Sequence, residues 1–217
     1  MIGAMIIAVD GSAASGKGTL SKRLADHFNL AYLDTGSLFR ALALQLLNAG
    51  TVIDDIDENQ PIEESTRLDV GLCNAPEIRT DRVASLASKV AILPEVRTNL
   101  LTLQRNFAND PPHGNGAVLD GRDIGSVVVP ETPIKFFIDA KLEVRAERRF
   151  KELLHAGQSV MFRTVLADMR ERDQRDRTRS VAPLRAADGA KIIDTSTMDA
   201  EKVFAVALDH VKHIVGT

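Results

Sequence analysis

The stretch that decides the fold runs Met5-Ile6-Ile7-Ala8-Val9-Asp10-Gly11-Ser12-Ala13-Ala14-Ser15-Gly16-Lys17-Gly18-Thr19. Its first five residues form a short apolar run, fit for a parallel strand buried on both faces. Downstream, Leu20, Leu24 and Phe28 recur at helical spacing. Strand, glycine-rich loop and helix in this order are the setting that a phosphate-binding loop needs. Glycine lets successive backbone N–H groups turn inward, and the helix N-terminus adds about half a positive charge. Gly11, Ser12, Ala13, Ala14, Ser15, Gly16, Lys17, Gly18 and Thr19 are therefore the expected nucleotide-triphosphate site. Within it Lys17 reaches toward the terminal phosphates. A Gly/Ser turn with an incidental lysine is the bland alternative, and spacing and context both weigh against it.

Most loops of this kind follow the lysine with a Ser or Thr that binds magnesium. Here Gly18 takes that place and Thr19 comes next. The run GKGT resembles the loop of the nucleoside monophosphate kinases, which implies magnesium held largely through water.

Working outward, Leu30-Ala31-Tyr32-Leu33 reads as a second strand, with Asp34 or Thr35 capping a helix that Gly50 ends. Arg40 is an isolated cation on that helix, equally readable as a solvated surface residue. Residues Thr51 to Pro76 carry an acidic run, Asp54, Asp55, Asp57, Glu58, Glu63 and Glu64, and give no periodic signal. Helices are expected over 77–90 and from Pro94 to just before Asp110. Further strands are expected at 117–119, 134–138 and 191–194, with helices over 142–156, 159–180 and at the C-terminal end. Strands alternating with helices predict an α/β fold: a five-stranded parallel sheet flanked by helices. The expected core is residues 1–34, 109–144 and 181–217. A substrate-side excursion takes 35–108 and a lid takes 145–180, all within one domain.

Two charged stretches stand out. Asp120-Gly121-Arg122-Asp123-Ile124-Gly125 lies at a strand's C-terminal end, where open α/β sheets bind ligands. In 159–180, arginines crowd at 170, 172, 175, 177 and 179, and a continuing helix would put Arg172, Asp176 and Arg179 on one face. Alone, this would read as a salt-bridged surface helix. Beside a phosphate site, cations able to fold over the phosphates explain it better.

Composition sets limits. The chain has 217 residues, 44% apolar and 26% charged, with a net charge of −3 that argues against a broad nucleic-acid-binding surface. Its single cysteine, Cys73, excludes an internal disulfide. No apolar run approaches the ~18 residues of a membrane span. The expectation is a cytoplasmic protein, monomeric, with small-molecule partners and no nucleic acid or membrane partner.

Taken together, GSAASGKGT, Asp34-Thr35-Gly36, Ala87-Ser88-Lys89-Val90-Ala91, Val96-Arg97, DGRDIG and ERDQRDRTRSVAPL resemble the bacterial cytidylate kinases in the family's order over nearly the whole chain. The resemblance implies the nucleoside monophosphate kinase fold and phosphoryl transfer from ATP, with Mg2+, to CMP or dCMP. It implies that Lys17 and the loop amides hold ATP, and that Arg40, Arg122, Arg172 and Arg179 surround the acceptor phosphate and the transferring group. Ser88, Arg97 and Asp123 match positions that read cytosine, Thr35 a hydroxyl near the acceptor, and Asp176 a residue at the sugar. No protein ligand for the metal is assigned. Two departures are visible: no strand-bearing insert near 68–77, and Phe39 where relatives often have tyrosine. Rival readings are a same-fold kinase for UMP, AMP or another small acceptor, and a slow nucleotide-binding switch.

Overall fold

A computed structural model describes residues 4–53, 55 and 57–216, so Asp54 of the acidic run lies outside the described residues. The strands are β1 (Met5–Gly11), β2 (Ala31–Asp34), β3 (Gly116–Gly121), β4 (Ile134–Asp139) and β5 (Lys191–Asp194). The helices are α1 (Lys17–Phe28), α2 (Thr35–Asn48), α3 (Asn59–Thr66), α4 (Asp81–Val90), α5 (Pro94–Asn109), α6 (Leu142–His155), α7 (Phe162–Thr178) and α8 (Ala200–Val215). The sheet runs β2-β3-β1-β4-β5, and β1 pairs in parallel with both β3 and β4. No helix among the described residues is long and apolar enough to cross a membrane.

The chain divides into two compact units, residues 1–33 with 108–217, and residues 34–107. In the first, Ile7, Val9, Val118, Phe136, Ile138 and Ile193 of the sheet pack on Leu24 of α1 and Val203, Ala207 and Val211 of α8. Strand β1 is buried over nearly its whole length, which accounts for its unbroken apolar run. His210 packs edge-on against Phe136, with ring centroids 5.4 Å apart. The second unit is helical, built on Leu38, Leu42 and Leu46 of α2, Leu86 and Val90 of α4 and Leu100 of α5, with Cys73 partly buried against it.

Several boundaries differ from the sequence expectation. The helix expected from Glu77 starts at Asp81, because Thr80 caps it by accepting from the Val83 N–H, while Pro76–Arg79 forms a separate 3-10 turn. The unread stretch contains α3, and its 70–74 portion is another 3-10 turn. Asp34 takes the N-cap position of α2 without capping through its side chain, which pairs with Arg40. Helix α7 stops at Thr178, so Arg179 lies past its end in extended backbone (φ −60°, ψ 141°) rather than on a continuing helical face.

Candidate active site

The phosphate loop is shaped by backbone. At Gly11 a Cβ would come within 2.0 Å of the Ile138 carbonyl oxygen, and φ is +155°, so only glycine fits. Ala14 (φ 55°) and Gly16 (φ 93°) take left-handed conformations that turn the chain into α1, which starts at Lys17. The N–H groups of the first turn of α1 thus open onto the loop. Ser12 Oγ donates to Asp139 at the end of β4. Ser15 Oγ is buried with no hydrogen-bond partner, a polar atom that a phosphate oxygen or a hydrated cation would satisfy.

Lys17 Nζ lies 2.5 Å from Asp120 Oδ1, at the C-terminal end of β3. Asp120 is buried, and its other oxygen accepts from the Tyr32 hydroxyl at 3.2 Å. Asp10, the last residue before Gly11, is also buried. Its two oxygens accept the N–H groups of Ile124 (2.7 Å) and Gly125 (2.8 Å). Burial pushes its pKa up to about 7, against the downward pull of those two donors. Through these bonds Asp10 pins the turn after Arg122 and Asp123, a π-type turn closed by Val129 N–H to Ile124 C=O at 2.9 Å. Asp120 opens the charged stretch that the sequence marks at the end of a strand, without a role of its own there, whereas Asp10 was not singled out. A carboxylate near the C-terminal end of a buried strand was the available signal for it.

Around Asp176 on α7, Arg122 Nε donates to Oδ2 at 3.0 Å and Arg179 Nη1 stands 4.0 Å from Oδ1. Burial works against the charge of Asp176, but the guanidinium groups of Arg122, Arg172 and Arg179 outweigh it and hold the carboxyl below its ordinary pKa. Arg179 also donates from Nε to the Ala182 carbonyl at 2.7 Å and stands 4.0 Å from Asp123. The fold therefore gathers Arg122, Asp123, Arg172, Asp176 and Arg179 into one cluster, although Arg179 is outside the helix.

In the second unit, Thr35 is buried at the start of α2 and Arg40 lies 3.4 Å from Asp34. Ser88 is buried on α4. Arg97 donates to the Ala91 carbonyl at 3.1 Å and stacks over Phe39, 5.5 Å from the ring centroid. Phe39 thus supports a guanidinium without needing a tyrosine hydroxyl.

A cavity of about 340 Å³ borders the loop, lined by Ser15, Gly16, Thr19, Arg148, Thr195 and Asp199 among others. Arg148 donates to both the hydroxyl (3.0 Å) and carbonyl (2.7 Å) of buried Thr195, whose hydroxyl donates to the Ser15 carbonyl at 2.7 Å. The size suits a planar base beside bound phosphates. Nothing in the sequence marked Arg148 or Thr195, because their roles arise from contacts across more than forty positions.

A phosphate loop, a lysine held by a carboxylate and a cage of guanidinium groups define a phosphotransferase that moves a phosphoryl group between small molecules. The chain belongs to the cytidylate kinase family: the family model described as cytidylate kinase matches residues 7–213. It is accordingly a nucleoside monophosphate kinase, a transferase. The cytidylate kinase of Paramagnetospirillum magneticum is 51% identical over 203 residues, 94% of this chain and 95% of the relative. That of Rhodospirillum rubrum is 49% identical over 96% of this chain and 98% of its own length. Among solved structures, shikimate kinase from Bacteroides thetaiotaomicron matches with a TM-score of 0.51 at 12% identity, covering 98% of this chain and 99% of that one. An uncharacterized protein from Eubacterium ventriosum matches at 0.55 and 15% identity, covering 96% and 98%. These two likenesses concern the fold.

Proposed function

We propose that the protein transfers the γ-phosphoryl group of ATP to CMP and dCMP by direct displacement, acting as a cytoplasmic monomer. The observation that carries this reading is the guanidinium cluster around Asp176. It supplies charge without offering a nucleophile, as phosphoryl transfer requires. In the first unit, the loop amides and Lys17 hold the ATP phosphates. Arg122, Arg172 and Arg179 neutralise charge on the acceptor phosphate and the transferring group. Asp176 orients the nucleoside sugar, and Asp123 accepts from the cytosine amine. In the second unit, Arg40 binds phosphate, Ser88 and Arg97 donate to cytosine acceptors, and Thr35 places a hydroxyl near the acceptor. Residues 35–108 act as the substrate-side excursion and 145–180 as the lid.

Mg2+ accompanies ATP in this reading. The donor chemistry fits, since magnesium takes oxygen ligands, keeps its waters and needs only one or two carboxylates beside the phosphates. Asp120 and the Ser15 hydroxyl would hold it through water, and the ion would offset phosphate charge. The other residues bind, orient and exclude water, whose attack would waste ATP.

Cytosine presents an amine donor beside a ring acceptor, and uracil reverses both. An ionised Asp123 can accept but not donate, so uracil would set carbonyl against carboxylate. Unpaired buried polar groups of this kind give discrimination on the order of 10⁴. The test is ADP formation with ATP, magnesium and CMP, dCMP, UMP or AMP in turn. CMP and dCMP should be strongly preferred, and Asp123→Asn should narrow the CMP-over-UMP ratio because an amide can rotate to offer a donor. Comparable rates with UMP or AMP would leave a kinase of another acceptor, and acceptor-independent release of ADP would point to a switch.

A further inference from the structure

Arg145, on the first turn of α6, is one of the most deeply buried charged side chains among the described residues, with its side chain 3% exposed. Its Nε donates to the Ala140 carbonyl at 2.8 Å. Nη1 donates to the carbonyl of Ala13 in the phosphate loop at 3.3 Å and to Asp173 Oδ1 at 3.1 Å, and Nη2 donates to Asp173 Oδ2 at 2.5 Å. Asp173 follows Arg172 directly and precedes Asp176 by one helical turn. A single guanidinium therefore touches the loop on one side and grips α7 at the arginine cluster on the other. Asp139 makes a parallel tie: it accepts from Ser12 of the loop and from Arg177 of α7, the latter at 3.1 Å.

Cohesion of α6 and α7 does not need this arrangement. Ala146 and Leu153 already pack on Val165 and Met169, with Ala13 and Ala14 of the loop against the same cluster. A buried ion pair adds little net stability over apolar packing, because desolvating both charges offsets their attraction. What a two-pronged guanidinium–carboxylate bond adds is orientation, since two parallel bonds fix rotation as well as distance. We infer that Arg145 and Asp173 form a bracket that sets the rotation and height of α7 over the phosphate loop. They are positioning residues for the transfer, acting through Arg172, Asp176 and Arg179 rather than on the substrate. The inference rests on the assignment of those arginines to the transferring group.

Three variants separate the possibilities: Arg145→Lys, which keeps the charge and loses the fork; Asp173→Asn, which keeps the shape and loses the charge; and Arg172→Ala as the reference. Each is assayed for kcat, for KM with ATP and with CMP, and for melting temperature, with rates taken per folded molecule. Both bracket variants should lower kcat on the order of 10- to 100-fold, as displacement of a reacting geometry by about 1 Å does. KM for ATP should stay within about twofold in Asp173→Asn, which leaves the Arg145 bond to the Ala13 carbonyl of the loop in place. The double variant should be no slower than the slower single, since both remove the same bond. If Arg145→Lys fails to fold, Asp173→Asn carries the kinetic test alone. Normal kcat in folded Asp173→Asn with a lower melting temperature would reduce the pair to a structural one and overturn the inference, even where Arg172→Ala is slow. A normal Arg172→Ala would overturn it together with the arginine assignment on which it rests.

Discussion

In the proposed function the phosphate loop and the arginine cluster meet the same problem, holding negative phosphate, by opposite means. The loop does so with backbone: left-handed Ala14 and Gly16, a glycine at 11 that no side chain can replace, and the amides opening α1. The cluster does so with side chains. Arg122, Arg172 and Arg179 are held near one another by a shared carboxylate, Asp176, and α7 is tied down through Asp173 and Arg177. Backbone amides are fixed once the chain folds and need no counter-charge. Guanidinium groups repel one another and must be paid for by buried carboxylates until substrate arrives. On the proposed reading the loop is a site for binding, and the cluster is a site whose charge becomes fully useful when phosphate charge moves through it.

The sharpest test of the loop is Lys17, the one side chain in it that carries charge. Lys17→Met should cost about 2.7–4 kcal/mol at the transition state, roughly 10²–10³ in kcat per folded molecule, and should also lower stability by leaving buried Asp120 without its cation. A loss under about tenfold in a steady-state assay would mean that the amides suffice and the lysine is incidental.

Asp10 joins the two regions, since it sits at the mouth of the loop and fixes the turn that follows Arg122 and Asp123. Its pKa stands at about 7 against an ordinary 3.8, so the folded protein holds this proton more tightly than the unfolded chain does. The sign follows from linkage. Its contribution to stability is fully present below about pH 4 and declines as pH rises to about 7, with a slope of about 1.4 kcal/mol per pH unit. Chemical denaturation at several pH values should show this decline in the parent and lose it in Asp10→Asn. Parallel pH profiles would show that Asp10 keeps its charge throughout.

The smallest effect is expected on the outer face of α7. Arg175 and Glu171 form an i,i+4 pair, 3.4 Å apart, in which Glu171 is exposed and Arg175 partly so. Glu171→Ala should change stability by about 0.3–0.5 kcal/mol and leave turnover unaltered. A marked kinetic effect would erase the distinction between the inner and outer arginines of this helix.

Legibility from sequence followed the same division. Backbone-determined features were readable, because the apolar run of β1, the spacing of glycines and the helical phase of Leu20, Leu24 and Phe28 each have a local cause. Gly50 ends α2 at φ 89°, as its position suggested. Helix α3 was not readable: its buried residues are Pro61 and Ser65, and it is tied to α2 through Gln45 and Glu64 rather than by an apolar stripe. Nothing local to Arg145 marked its burial, since only the fold brings Asp173 and Ala13 to it. The cluster was visible as composition and as spacing: Arg172, Asp176 and Arg179 do come together, although Arg179 is the residue just past α7, in extended backbone, rather than part of the helix.

The contrast between the two regions comes down to one pair of numbers for Arg172→Ala: the dissociation constant for ATP, from equilibrium titration, and kcat with CMP. If backbone binds and arginines transfer, ATP affinity stays within about threefold while kcat falls by about 10² or more. A parallel loss of ATP affinity and kcat, or a kcat that does not change, would contradict it.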